Sequence, residues 1–217
     1  MTPASTTVPI NSRTRMPVDE RRRQIAHKAA ELVARYGSYG VSMQTVADAV
    51  GLTLPGLNHH VRGRDELLTL IIETFYDDFT DDATMAAQLR QSGARDADGL
   101  LSLPATLARM VDSNTTRPEL VGLFIRLAVE AHDPSHPAHR YYADRHQRLL
   151  SVMRALPWRL PPRFQAPAAF DDLLRTAFCA MDGTEVQALT DPDETMADLW
   201  ARVERTLFGG PEWAEAR

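Results

Sequence analysis

The sequence predicts an all-α fold of about nine helices, on three observations. Apolar residues recur at three- and four-residue spacing from Val18 to Leu207, the period of helices with one buried face. No stretch alternates apolar and polar as a half-buried strand does, and no nucleotide-binding glycine pattern appears. Glycine and proline fall mainly between the periodic stretches, where they end one helix or open the next.

Met1–Pro17 is rich in Ser, Thr and Pro and reads as a disordered arm without the apolar core of a signal peptide. The first helix starts at Val18, lines up Ile25, Ala29, Leu32, Val33 and Tyr36, and stops at Gly37. Ser42 can cap a short second helix ending at Gly51, and Thr53 a short third running to about Val61. The fourth, from Arg64 to about Gln88, carries Leu67, Leu68, Ile71, Ile72, Phe75 and Phe79 on one side. Gln91–Leu103 is a loop. Pro104 and Pro118 suit the first positions of the fifth and sixth helices, whose inward residues are Leu107, Met110 and Val111, then Leu120, Leu123, Phe124, Leu127, Ala128 and Ala131. After a turn at His132–Pro137, the seventh runs to about Leu156 with Leu149, Val152 and Met153 inward. Pro157–Pro167 is a loop. Phe170, Leu173, Leu174, Ala177, Phe178 and Met181 form the wide stripe of the eighth helix. Asp191-Pro192-Asp193-Glu194 reads as the cap of the ninth, which presents Met196, Leu199, Trp200, Val203 and Leu207.

A chain of 217 residues buries enough surface to fold without disulfide or metal. The expected division is an arm over 1–17, a head over 18–64 and a body over 65–217. The single cysteine, Cys179, makes no internal disulfide and fits a reducing, cytoplasmic setting. Its place in an apolar stripe suggests a small core residue. No apolar run reaches the length that spans a bilayer. Net charge is −5, but the charges are sorted. Residues 1–64 carry nine basic and four acidic side chains, and the remaining 153 carry fifteen and twenty-five. A basic front on an acidic body suits a chain whose one end meets phosphates. The Arg21-Arg22-Arg23 run is a candidate phosphate contact, though such runs are commonly just solvated faces, and Arg13 and Arg15 could form an arm reaching the minor groove, the alternative being a merely disordered tail.

Residues 42–61 have the layout of a helix-turn-helix. Val46, Ala47 and Val50 face inward from the first helix, and Gly51 suits the left-handed residue that ends it. Leu52 lies under the turn, Thr53 caps, and Pro55 is tolerated in the first turn of the second helix. Leu57 and Val61 face inward, which leaves Leu54, Pro55, Gly56, Asn58 and His59 outward and His60 at the side.

These residues resemble the TetR family of bacterial transcription regulators. The resemblance is carried by Val41-Ser42-Met43-Gln44-Thr45-Val46-Ala47, Gly51-Leu52-Thr53, Leu57, His60, Val61 and Arg64-Asp65-Glu66-Leu67-Leu68, within about Asp19–Leu70. Arg64 stands where that family usually has Lys, and Asn58 departs from its usual phosphate-contacting Tyr. In the body it is weaker: the helix count, Asp133–Pro137, Asp182-Gly183 and Ala188–Pro192. The resemblance implies double-stranded operator DNA held by Ser42, Gln44, Thr45, Thr53, Leu54, Pro55, Gly56, Asn58, His59, His60 and Arg64. It also implies a homodimer made by the last two helices, with Phe170, Leu174, Gly183, Leu199 and Val203 at the contact. A small apolar or amphipathic effector is expected among the fifth to eighth helices, lined by Met110, Asn114, Phe124, Arg126, Leu127, Met153, Phe178 and Met181, with Glu130 a further polar candidate. The alternative for those apolar residues is a closed core, and for Arg126 and Glu130 a surface ion pair.

The function expected is a repressor that binds a near-palindromic operator and is released by its effector. An enzyme on a helical scaffold is the rival, but the sequence offers no nucleophile–base motif and no metal motif. His132, His136, His139 and His146 look like a metal cluster, yet Pro134 and Pro137 keep His132 and His136 from stacking on one helical turn, and no cysteine or dense carboxylate set completes a ligand list. No catalytic residue, metal or cofactor is expected. A regulator gated by a protein is the third reading.

Overall fold

In the computed structural model the described residues are 16–76, 86–87, 89–91 and 98–214. The expected arm (except Met16 and Pro17) and the expected extension of the fourth helix through Phe79 lie outside them. Among the described residues nine α-helices are bounded: α1 (Val18–Tyr36), α2 (Met43–Ala49), α3 (Leu54–Asn58), α4 (Arg64–Tyr76), α5 (Leu103–Thr115), α6 (Pro118–Glu130), α7 (His139–Arg154), α8 (Pro167–Thr190) and α9 (Met196–Phe208). The fold is all-α.

Two apolar clusters hold it. The first joins Ile25, Ala29 and Val33 of α1, Val46 and Ala47 of α2, Leu57 of α3 and Leu67, Leu68 and Ile71 of α4. It does not end at Arg64, because Leu123 and Leu127 of α6 and Tyr142 of α7 belong to it. The second joins α5, α7, α8 and α9 around Leu107, Met153, Leu174, Phe178, Met181 and Trp200. α6 thus contributes to the head's core and bridges to the body, packing on both α1 and α8.

Where boundaries differ from expectation, local chemistry explains it. Tyr36 lies past the buried face of α1 and is 52% exposed. Ser102, one residue before the expected loop ends, caps α5 by accepting the Ala105 N–H. Two loops meet as a parallel pair, β1 (Leu101–Ser102) against β2 (Trp158–Arg159), each too short for alternation to be legible. The Asp191–Glu194 segment does not cap α9. Asp191 accepts the Asp193 N–H in a tight turn, and Thr195 is the cap, accepting the Asp198 N–H at 3.1 Å. A short turn at Pro211–Trp213 then buries Trp213 edge-on against Phe208, ring centroids 4.9 Å apart.

Candidate nucleic-acid interface

The α2–turn–α3 unit is fastened at each joint. Ser42 Oγ accepts the Thr45 N–H at 3.1 Å and Thr53 Oγ1 accepts the Gly56 N–H at 3.2 Å; caps of this kind stabilise by about 1 kcal/mol each. Gly51 turns the chain at φ +68°, which a side chain resists, and the Leu52 N–H returns to the Ala47 carbonyl at 2.9 Å. Val46, Ala47, Leu57 and Val61 are fully buried. Their burial fixes which side of α3 faces out. Pro55, Asn58 and His59 are exposed; Leu54, Gly56 and His60 are half-buried. Gln44 and Thr45 are exposed on α2, with Gln44 donating to Asp48 at 2.7 Å and the Thr45 hydroxyl 2.8 Å from that of Ser42.

The arginines are not equivalent. Arg22 donates to the His60 carbonyl and to Glu66, so it ties α1 to the end of α3. Glu66 also accepts the Arg62 N–H at 2.8 Å; that bond, then Arg22, holds its carboxyl below the usual value. Arg21 reaches Gln24 at 2.6 Å, while Arg23 is exposed. Arg64 lies over the exposed Tyr39 ring, 4.4 Å from its centroid, and donates to Ser38 Oγ at 3.2 Å.

Behind Arg64 lies a junction that the sequence reading missed. Both oxygens of Glu130, at the end of α6, accept the Ser38 N–H, at 3.1 and 3.2 Å. The buried His136 ring places Nε2 3.3 Å from Ser38 Oγ and 3.8 Å from the Glu130 carboxylate. A serine, a histidine and a carboxylate invite an enzymatic reading, but the hydrogen bonds oppose it. His136 Nδ1 accepts the Ala138 N–H at 3.2 Å, so the neutral ring carries its proton on Nε2 and cannot take one from Ser38. Among the described residues no group of three or more His, Cys, Asp and Glu could hold a metal ion.

In the body, the expected effector residues divide. Met153, Phe178 and Met181 are buried in the second cluster with Met110 against it. Leu127 is instead fully buried in the head-side cluster, and Phe124 packs there too. Arg126 does not line an interior: it is exposed, near Gly37, because α6 turns that face toward α1. Glu130 is committed to Ser38. Neither forms the surface ion pair expected from their spacing, nor a body-cavity lining. Asn114 donates to Glu185 at 2.7 Å. Glu185, missed in the sequence, is 5% exposed, and burial, with Asp182 adding to it, pushes its carboxyl above 4.5. Arg145 sits over Phe124 at 4.5 Å, and the Tyr142 hydroxyl donates to the Phe124 carbonyl at 2.8 Å. Groups from α5 to α8 thus converge at one polar end.

Glu185→Gln should raise the melting temperature near pH 7.5, because an amide keeps a carbonyl for Asn114 and removes a buried charge. The folded pKa is raised, so the acid's contribution to stability is present below 4.5 and is lost as pH rises through the folded value. The gain should therefore vanish near pH 4; equal melting curves at pH 7.5 would contradict it.

The expected dimer residues also need correction. Phe170 and Leu174 are buried in the chain's own second cluster, Leu199 is 8% exposed, and Val203 packs at that cluster's edge. α8 is apolar there because α9 and α7 of the same chain pack against it. Cys179 is exposed, not in the core, because it lies on the opposite side of α8. That outer side also carries Val186, 44% exposed, and Gly183, where an added Cβ would meet nothing within 4 Å.

No protein-family model matches the sequence, and no curated protein does. Solved structures do match the fold. A TetR-family transcriptional regulator from Mesorhizobium loti MAFF303099 aligns over 92% of this chain and 98% of its own, with TM-score 0.62 and 15% identity. One from Rhodococcus sp. covers 87% and 97%, at TM-score 0.60 and 20% identity. Thermus thermophilus FadR, a TetR-family repressor in complex with lauroyl-CoA, covers 87% and 94%, at TM-score 0.50 and 13% identity. The chain has the fold of TetR-family transcriptional regulators.

Proposed function

We propose that the chain is a TetR-family transcription regulator, a cytoplasmic homodimeric repressor that binds a near-palindromic operator and releases it on binding a small apolar or amphipathic effector. The observation that carries this reading is the capped α2–turn–α3 unit, with Leu57 and Val61 buried and Pro55, Asn58 and His59 outward. A short helix held this way presents side chains to the edges of bases in the major groove. The division of labour is a head of about 18–64 and a body of 65–217. Among the described residues no helix is long and apolar enough to cross a membrane. Binding of double-stranded DNA from beside the gene should weaken steeply with salt. Salt-independent binding, or none to any such fragment, would end the reading.

The dimer contact is the outer side of α8, with Cys179, Gly183 and Val186, extended by α9. An open glycine there lets two backbones approach closely. Val186→Arg would put a charge into that contact without touching the chain's own core. Sedimentation should show a folded monomer; a dimer of unchanged strength would move the interface elsewhere.

The effector site is the region between Met110, Phe124, Met153, Phe178 and Met181, closed at its polar end by Asn114, Glu185 and Arg145. Soft Met and Phe side chains accept bulky apolar groups, and the polar end orients a headgroup. The lauroyl-CoA of the Thermus neighbour is an amphipathic molecule of this kind. Phe178→Trp, in the body's own cluster, should narrow the site and blunt the effector response while operator affinity stays the same. Normal responses from Phe124→Trp, Met153→Trp and Phe178→Trp alike would remove the site from this region.

A further inference from the structure

We propose that Glu130 and His136 form a proton-operated latch that fixes the DNA-reading head to the body. Its operator readout rests on the function proposed above; the latch itself does not. The contacts are reciprocal. The body supplies an acceptor, the Glu130 carboxylate, to the head's Ser38 N–H, and a donor, His136 Nε2–H, toward the head's Ser38 Oγ. Ser38 Oγ also accepts Arg64, the first residue of α4, whose guanidinium covers Tyr39. Ser38 is 1% exposed and His136 5%. One serine therefore joins the start of α4, the end of α6 and the α6–α7 turn.

The latch as seen requires a neutral imidazole. Protonation adds a hydrogen at Nδ1, which faces the Ala138 N–H; two donors then oppose each other and the turn that seats the ring must open. The groups facing the ring from every side are Glu130 of α6, Asp133 of the turn, Arg64 and Asp65 of α4, and Ser38 and Tyr39 of the α1–α2 segment. Glu130, Asp133 and Asp65 favour the cation; burial and Arg64 oppose it, and the balance lies below the ordinary value of 6.5. A depressed folded value means the latch contributes in full above 6.5 and is lost as pH falls below it. At one unit below, the proton's leverage is at most about tenfold.

The test compares full-length wild type, His136→Gln and Glu130→Gln between pH 7.5 and 5.5. Gln at 136 offers an N–H toward Ser38 and cannot take a proton. Gln at 130 keeps an acceptor for the Ser38 N–H but removes the charge that favours protonated His136. Thermal stability should fall most steeply with acid in Glu130→Gln, less in wild type and least in His136→Gln. Operator affinity of wild type at pH 5.5, relative to His136→Gln, should drop by up to about tenfold; the comparison cancels whatever acid does elsewhere in the chain and in the DNA. Three parallel stability profiles would overturn the latch, whatever DNA does, and so would Glu130→Gln losing stability less steeply than wild type. If His136→Gln does not fold, the order of Glu130→Gln against wild type decides alone. The expected stability order in a chain that binds no DNA would uphold the latch and end the operator reading instead.

Discussion

Asn58→Glu combined with His59→Glu should cut operator affinity at least about a hundredfold while leaving the melting temperature unchanged. The two halves of this expectation come from different facts. Both side chains are exposed at the C-terminal end of α3, where His59 caps through its backbone N–H rather than its side chain, and exposed side-chain changes of this kind shift stability by only about 0.5 kcal/mol. In the proposed complex the same positions would meet base edges and phosphates. A lost base contact costs about 1–3 kcal/mol, and each new carboxylate adds repulsion to the phosphate charge. Arg64→Ala should behave differently. Because Arg64 is shared between Tyr39 and Ser38, its loss should weaken all DNA sequences about equally and also loosen the head. Fluorescence anisotropy on a specific and a scrambled duplex, with melting curves alongside, separates the two. An Asn58→Glu/His59→Glu protein that binds the specific duplex at wild-type strength would exclude α3 as the reading helix.

What could be read from the sequence was what depends on near neighbours. The caps at Ser42 and Thr53 act over three residues, and the buried pair Leu57 and Val61 is four apart, so spacing alone reveals them. The latch spans 92 residues from Ser38 to Glu130 and 98 from Ser38 to His136. No periodicity encodes that, and the spacing of Arg126 and Glu130 suggested a surface pair instead. Glu185 was missed for the same reason: an acid in a helical stretch reads as solvated until its partner Asn114, 71 residues away, is known. On α8 the error was one of sides. Phe170 and Leu174 mark a sticky face, but sequence alone does not say whether α9 of the same chain or a second copy covers it. The residue that carries a hint was Gly183, an apparent defect in a long helix that stands open in the single chain.

Gly37→Ala should be strongly destabilising for so small a change. Gly37 ends α1 at φ +77°, ψ 160°, a region nearly closed to residues with a Cβ, where strain runs to about 1–3 kcal/mol. The Cβ would also fall 3.0 Å from Glu130 Oε1, a carboxylate held in place by the Ser38 N–H. Strain and crowding together should cost about 3 kcal/mol, which for a chain of this size lowers the melting temperature by roughly 6–12 °C. Gly51→Ala is the control. Its φ is also positive, +68°, but nothing lies within 4 Å of the added Cβ, so about 1–2 kcal/mol of backbone strain is all it should show. A double-mutant cycle then isolates the crowding. Gly37→Ala should cost less in a Glu130→Ala background than in the wild type, because the carboxylate it meets is gone. Gly51→Ala should cost the same in both. If Gly37→Ala is equally harmful in the two backgrounds, only backbone strain is at work, and Glu130 does not press on the end of α1.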